Sequence, residues 1–173
     1  RMSGNFMYDF FMGASLNPRI GPIDLKMWAE VRIPWILLFL ISVSGACKQY
    51  EDYGYVTPNM LFMVLATGLY INACGKGEEC IPQTWDMFHE KWGFMVIFWN
   101  FAGVPFTYCY SIVYMARTNP EAYRFSTLTY VFMYALLLFA HFVFDSSMAQ
   151  KSRFRMQLQG TLKVRWTFPQ WPW

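Results

Sequence analysis

Charge disappears from this chain in long stretches, and those stretches set its organisation. Between Arg124 and Asp145 no side chain carries a full charge, leaving an uncharged run of 20 residues at 125–144. As a helix that run is about 30 Å long, one hydrocarbon thickness. Three uncharged runs precede it, at 33–47, 53–75 and 92–116. Together they predict spans near 31–48, 55–75, 92–116 and 125–148. The expected fold is an all-α membrane protein, a polytopic helix bundle with about four spans, all of 1–173 belonging to one integral-membrane domain of a larger multi-span fold.

The punctuation between the runs sharpens this. Residues 1–30 are apolar and aromatic but interrupted by Gly4, Gly13, Pro18 and Gly21, which reads as a lid or interfacial segment. Asp9, Asn17 and Arg19 are expected to pin that lid by hydrogen bonds. Asp24 is a candidate N-cap for the first span, whose short uncharged part puts Glu30 and Arg32 within the first turns. Pro58 suits the first turn of the second span. Gly103 and Pro105 fall in mid-span in the third, where Pro removes a backbone donor and predicts a kink. The last helix has no breaker before Gly160, so it is expected to run past Asp145, with 149–173 a cofactor-side helix and extended connector.

Polar residues inside the runs follow helical spacing. Tyr130, Tyr134, His141 and Asp145 recur at steps of four, seven and four, forming one stripe that Lys151 and Arg155 continue approximately. Ionisable groups at membrane depth should face protein or a watery cavity, so the stripe points inward. One reading is a pocket with an apolar deep end and an anion-binding mouth. The other is that His141 and Asp145 satisfy each other across one turn and that Lys151 and Arg155 are juxtamembrane cations. Asn100, Thr107, Ser111 and Tyr114 make a second inward polar face on the third span.

Composition agrees: 55% hydrophobic, 21% aromatic and only 14% charged, a membrane profile. A net charge of +3 gives no reason to expect nucleic acid. Arg1 at the start and Pro172, Trp173 at the end suggest a piece of a longer chain. The four Cys show no metal spacing, so no metal site is expected, and a Cys74–Cys80 disulfide is disfavoured. Alternation of four spans puts eleven of the 14 Lys and Arg on the side of the Lys151 and Arg155 tail, which predicts that this side faces the cytosol.

The segments GNFMYDFFMGASLNPRIG, DLKMWAEVR, DMFHEKWGFM, VPFTY and DSSMAQKSRFR resemble the sterol reductase family of the endoplasmic reticulum, which takes in the delta-14, delta-7 and 24(28) reductases and the lamin B receptor. KQYEDYGYVTPNM, ACGKGEECIPQTWDMFHEKWGFM and RWTFPQWPW bring the resemblance nearest to the fungal 24(28)-reductases of ergosterol biosynthesis. The resemblance implies an endoplasmic-reticulum enzyme that uses NADPH to reduce a sterol double bond, the 24(28) bond in the nearest case. It implies Lys151 and Arg155 as contacts of the cofactor's phosphates, with the rest of that site beyond Trp173. Tyr108, Asp86, His89 and Glu90 become candidates for proton delivery. Trp99, Phe106, Tyr130, Tyr134, His141 and Asp145 become candidates for lining the sterol pocket. Delta-14 or delta-7 reduction, and a non-catalytic sterol-binding or scaffold role, are the alternatives.

Overall fold

The computed structural model describes residues 2–160, so the expected connector at 161–173 lies outside the described residues. Helix α1 (Phe6–Met12) is followed by a minimal hairpin, β1 (Arg19–Ile20) pairing antiparallel with β2 (Ile23–Asp24). Helices α2 (Leu25–Tyr53) and α3 (Pro58–Lys76) come next, then a 3₁₀ turn (Glu78–Gln83) and short α4 (Trp85–His89). The third apolar run forms α5 (Phe94–Phe98), a π-helical segment (Trp99–Gly103), α6 (Val104–Tyr108) and α7 (Tyr110–Arg117). A 3₁₀ turn (Pro120–Tyr123) leads into α8 (Thr127–Leu158).

Three helical stretches are long and apolar enough to cross a membrane: Leu25–Tyr53, Phe94–Arg117 and Thr127–Leu158. The fourth expected span is α3, whose 19 residues reach about 28 Å but are diluted by Asn59, Asn72 and Lys76. It packs along α2 and, running the same way as α8, places its first residue near Tyr134 and its last near Asp145. α3 and α8 therefore run parallel.

Local chemistry explains the boundaries. Asp24 caps α2 by accepting the Met27 N–H at 3.1 Å, and Thr57 caps α3 just ahead of Pro58. α2 continues past the expected end near residue 48, because Lys48 and Asp52 pair across one turn at 2.6 Å and Gly54 supplies the left-handed cap. Pro105 cannot donate to the preceding turn, and the ladder there relaxes into the π-helical segment. The first segment is tied to the start of the third run by its backbone, while Asp9 and Arg19 bond within the segment. Gly13 and Gly93 meet backbone to backbone, and a Cβ on Gly93 would lie 2.3 Å from the Gly13 nitrogen. Trp92 N–H donates to the Ser15 carbonyl at 2.8 Å beside them.

The core sits where α2, α3 and α7 cross, around Leu38, Met60, Ile112 and Met115. Gly45 permits that crossing, since a Cβ there would come within 2.7 Å of Ile112 Cγ2. At the same end Gln49 is fully buried and ties four partners. Its amide donates to the Tyr123 hydroxyl (2.7 Å) and the Met115 carbonyl (3.3 Å), and its Oε1 accepts from the Thr57 N–H (2.7 Å) and hydroxyl (3.0 Å). None of the four cysteines is in a disulfide among the described residues.

Candidate functional site

At the opposite end of α2 from Gln49 stands a buried lysine. Lys26 is 0% exposed, and its ammonium donates to the Asp86 carbonyl at 2.6 Å, the Glu90 carbonyl and, more distantly, the Leu16 carbonyl. A cation so placed satisfies carbonyls at the C-terminal end of α4, where the helix dipole is negative. It gathers the lid, the first span and the α4 segment at one point. Asn17 adds to the gathering by donating to the Met87 carbonyl at 3.3 Å. Arg32 donates from one guanidinium nitrogen, Nη2, to both Glu78 carboxylate oxygens at 2.8 and 2.9 Å, tying the 3₁₀ turn to the same helix.

Beside this hub lies a cavity of about 220 Å³ bounded by α2, α3, the 3₁₀ turn, α4 and α8. Glu30, Thr84 and Asp86 make its polar end. Trp35, Tyr70 and Phe144 contribute aromatic walls, Trp35 and Tyr70 with ring centroids 4.0 Å apart. Pro34 has no N–H to donate to the Glu30 carbonyl one turn before it. Glu90, outside the spans, has its carboxyl pushed above the ordinary range by burial and by the neighbouring Asp86 charge, against the opposing pull of Lys26.

The polar stripe on α8 faces the protein, as its spacing requires, but its members do different work. The Tyr134 hydroxyl donates to the Pro58 carbonyl at 2.8 Å, and Tyr130 accepts from the Phe125 N–H at 3.0 Å. Asp145 is 6% exposed and receives both His141 Nε2 at 3.5 Å and Lys76 Nζ at 3.6 Å. The His141–Asp145 pairing across one turn is thus present. Lys76, from another helix, is the partner the spacing could not name. Beyond it α8 continues to Leu158, and Gln150, Lys151, Arg153, Phe154 and Gln157 line a recess of about 440 Å³. Its polar lining is cationic or amide and holds no carboxylate, which suits a phosphate. Arg155 stands one turn beyond Lys151, half-buried and outside the lining.

Among the sequence candidates, Asp86 alone reaches the cavity wall directly, and Glu90 joins it at the lysine hub. His89 packs beside Trp85 and Phe88 on the outer side of α4. Tyr108 is 58% exposed and stands behind Trp35 of the cavity wall, at 6.3 Å between ring centroids. Trp99 and Phe106 are also exposed on the third span. On that span's expected polar face only Asn100 is buried, donating to the Val96 carbonyl at 2.8 Å. Sequence reasoning missed Lys26, Glu30, Tyr70 and Lys76. Only Glu30 and Lys26 carried a signal, as charges four apart at the head of an apolar helix.

Comparison with known proteins accounts for the whole chain. The Delta(24(24(1)))-sterol reductase of Gibberella zeae is 52% identical over 100% of this chain and 29% of its own length. A protein of the same description from Aspergillus fumigatus, erg4A, is 50% identical over 100% of this chain and 37% of its own. The Delta(14)-sterol reductase of Dictyostelium discoideum is 37% identical over 90% of this chain and 34% of its own. The chain thus spans about a third of the length of these relatives. Residues 1–173 match the family described as "Ergosterol biosynthesis ERG4/ERG24 family". With a match across every residue and relatives sharing half of its sequence, this chain belongs to that family.

Proposed function

We propose that the protein of which this chain is part reduces the exocyclic 24(28) double bond of an ergosterol precursor with NADPH, the last step of ergosterol biosynthesis, in the endoplasmic reticulum membrane. The observation that carries this is the difference in identity. The two Delta(24(24(1)))-sterol reductases share 52% and 50% over the entire chain, against 37% over 90% for the Delta(14)-sterol reductase. Carbon 24(1) in those names is carbon 28 of the sterol side chain.

An isolated alkene takes a proton before it takes hydride. The proton bonds to carbon 28, the π pair is consumed, and a tertiary cation is left at carbon 24. NADPH, when bound, supplies the hydride that completes the saturated bond. The chain's own residues hold, shield and deliver the proton. Lys151 in the cytosol-facing recess and Arg155 one turn beyond it, on the side carrying most of the basic residues, hold the phosphates. The aromatic walls exclude water and tolerate a developing cation. Two phenols flank Trp35, Tyr70 in the cavity and Tyr108 outside it, and the proton comes from this pair. Asp86, with Glu90 behind it and His89 on the outer face, returns the proton from solvent. Trp99 and Phe106, exposed on the same span as Tyr108, pack a sterol arriving from the lipid side.

A delta-14 reductase is the second reading, favoured by the Dictyostelium relative and by a Delta(14)-sterol reductase of Methylotuvimicrobium alcaliphilum, each 37% identical. Sterol profiling separates the two. Cells lacking the full-length gene should accumulate a 24(28)-unsaturated sterol, cleared by wild type and not by Lys151→Ala with Arg155→Ala at equal protein level. Accumulation of a Δ14 sterol would support the second reading. A normal profile in the knockout, with no redundant gene, would remove the enzyme reading and leave a sterol-binding or scaffold role.

A further inference from the structure

Helix α8 carries the phosphate-binding pair, and among the described residues side chains tie it to α3 and so bear on its rotation. The contacts that do so lie on one face and reach the two ends of α3. At one end the Tyr134 hydroxyl donates to the carbonyl of Pro58, the first residue of α3. At the other, Asp145 Oδ2 lies 3.6 Å from Nζ of Lys76, the last residue of α3. Between them the Tyr134 ring meets Phe62 edge-on and Phe144 approaches Tyr70. Residues 134 and 145 are eleven apart, about three turns, so both anchors fall on the same side of the helix.

Lys151 lies about 9 Å along the axis from Asp145 and Arg155 about 15 Å. Both are turned roughly a quarter to a third of a revolution from it. A slip of α8 by one residue would rotate the pair by about 100° and aim it in another direction. The Asp145 carboxylate is held by charge and not by packing alone. Its Oδ1 is buried with no hydrogen-bond partner among the described residues, and its other oxygen is shared by Lys76 and His141. A buried carboxylate in that state depends strongly on its cation, because removing one partner strands the other charge.

We propose that Lys76 is a positioning residue for cofactor binding: by holding Asp145 it sets the rotation and height of α8, and so aims Lys151 and Arg155 at the cofactor's phosphates. This rests on the reading of Lys151 and Arg155 as phosphate ligands. Lys76 itself touches neither cofactor nor substrate; it acts through Asp145.

The test uses full-length enzyme in microsomes, with NADPH as the varied substrate. Lys76→Met and the nearly isosteric Asp145→Asn should each raise the KM for NADPH on the order of tenfold, the worth of one charge-assisted contact. The kcat of Lys76→Met at saturating NADPH should stay within about twofold of wild type. Lys76→Arg should restore the wild-type KM, as should the exchange Lys76→Asp with Asp145→Lys. A KM unchanged in Asp145→Asn, or a kcat lost at unchanged KM, would overturn the inference. Lys151→Ala is measured alongside. If it raises the KM while Lys76→Met does not, only the positioning role falls; if it leaves the KM unchanged, the phosphate reading falls and the positioning role with it.

Discussion

Lys26 Nζ lies 2.6 Å from the carbonyl oxygen of Asp86, although 60 residues separate them in the chain. This contact joins the head of the first span to the segment that carries Asp86 and Glu90, with the Lys26 side chain fully buried. Lys26→Met removes the donor to the Glu90 and Leu16 carbonyls, while the Asp86 carbonyl keeps the Glu90 N–H, and each acceptor left short costs about 1–3 kcal/mol. The expected result is a thermal midpoint in detergent lower by several degrees, together with reduced turnover from the displaced Asp86. A variant melting with wild type would show that the carbonyls find other donors.

Gln49 should be equally intolerant at the opposite end of α2. Gln49→Leu strands the Thr57 N–H, and Gln49→Glu turns an acceptor toward the Met115 carbonyl where a donor now stands. Both should lose about 2–4 kcal/mol, read as a fall in the denaturation midpoint, with the NADPH KM of the surviving fraction unchanged.

The two tyrosines beside Trp35 are expected to differ. Tyr70→Phe, in the cavity wall, should cut kcat by about a hundredfold or more, within the range general acids contribute. Tyr108→Phe, outside the wall, should cost about tenfold or less. Single-turnover assays at matched protein levels decide it, and the reverse order would place the reacting carbon on the outer side of Trp35.

The lid should loosen in acid. The Ser3 and Gly4 N–H groups both bond the Asp9 carboxylate, at 2.8 and 3.1 Å, and the Ser3 bond foremost lowers its pKa below the ordinary 3.8. Because the folded value is the lower one, this contribution is present above the ordinary range and lost as pH falls through the depressed value. Pepsin cleavage within the first thirteen residues should therefore accelerate at the lowest pH. Asp9→Asn should be cut readily across the whole range, and equal rates for the two proteins would refute the cap.

Much of the fold was legible because its signals are local. Asp24 before an apolar run, Pro58 at a helix start and Pro105 in mid-span each act on their own turn, and all three act there in the structure. The run past Asp145 was legible too, from the lack of breakers before Gly160. The end of α2 was not, since the acidic stretch after Lys48 looks like a loop until Lys48 and Asp52 are seen to pair. The candidate site was less legible still. Asp86 and Glu90 were found as titratable groups, but the sequence presented their side chains, whereas the structure uses their carbonyls to hold Lys26.

What the sequence alone determined is that this chain crosses a membrane, where its helices begin and break, and that one stripe of the last helix must face inward. Those properties follow from charge and periodicity along a single element. Which groups meet across elements was decided by the tertiary structure: Lys26 with Asp86, Gln49 with Thr57 and Tyr123, Lys76 with Asp145. The physical reason is that a buried polar group must find a partner, while periodicity says only which way it faces. The partner's identity depends on how the helices cross, through contacts such as Gly45 against Ile112 that have no signature along the chain.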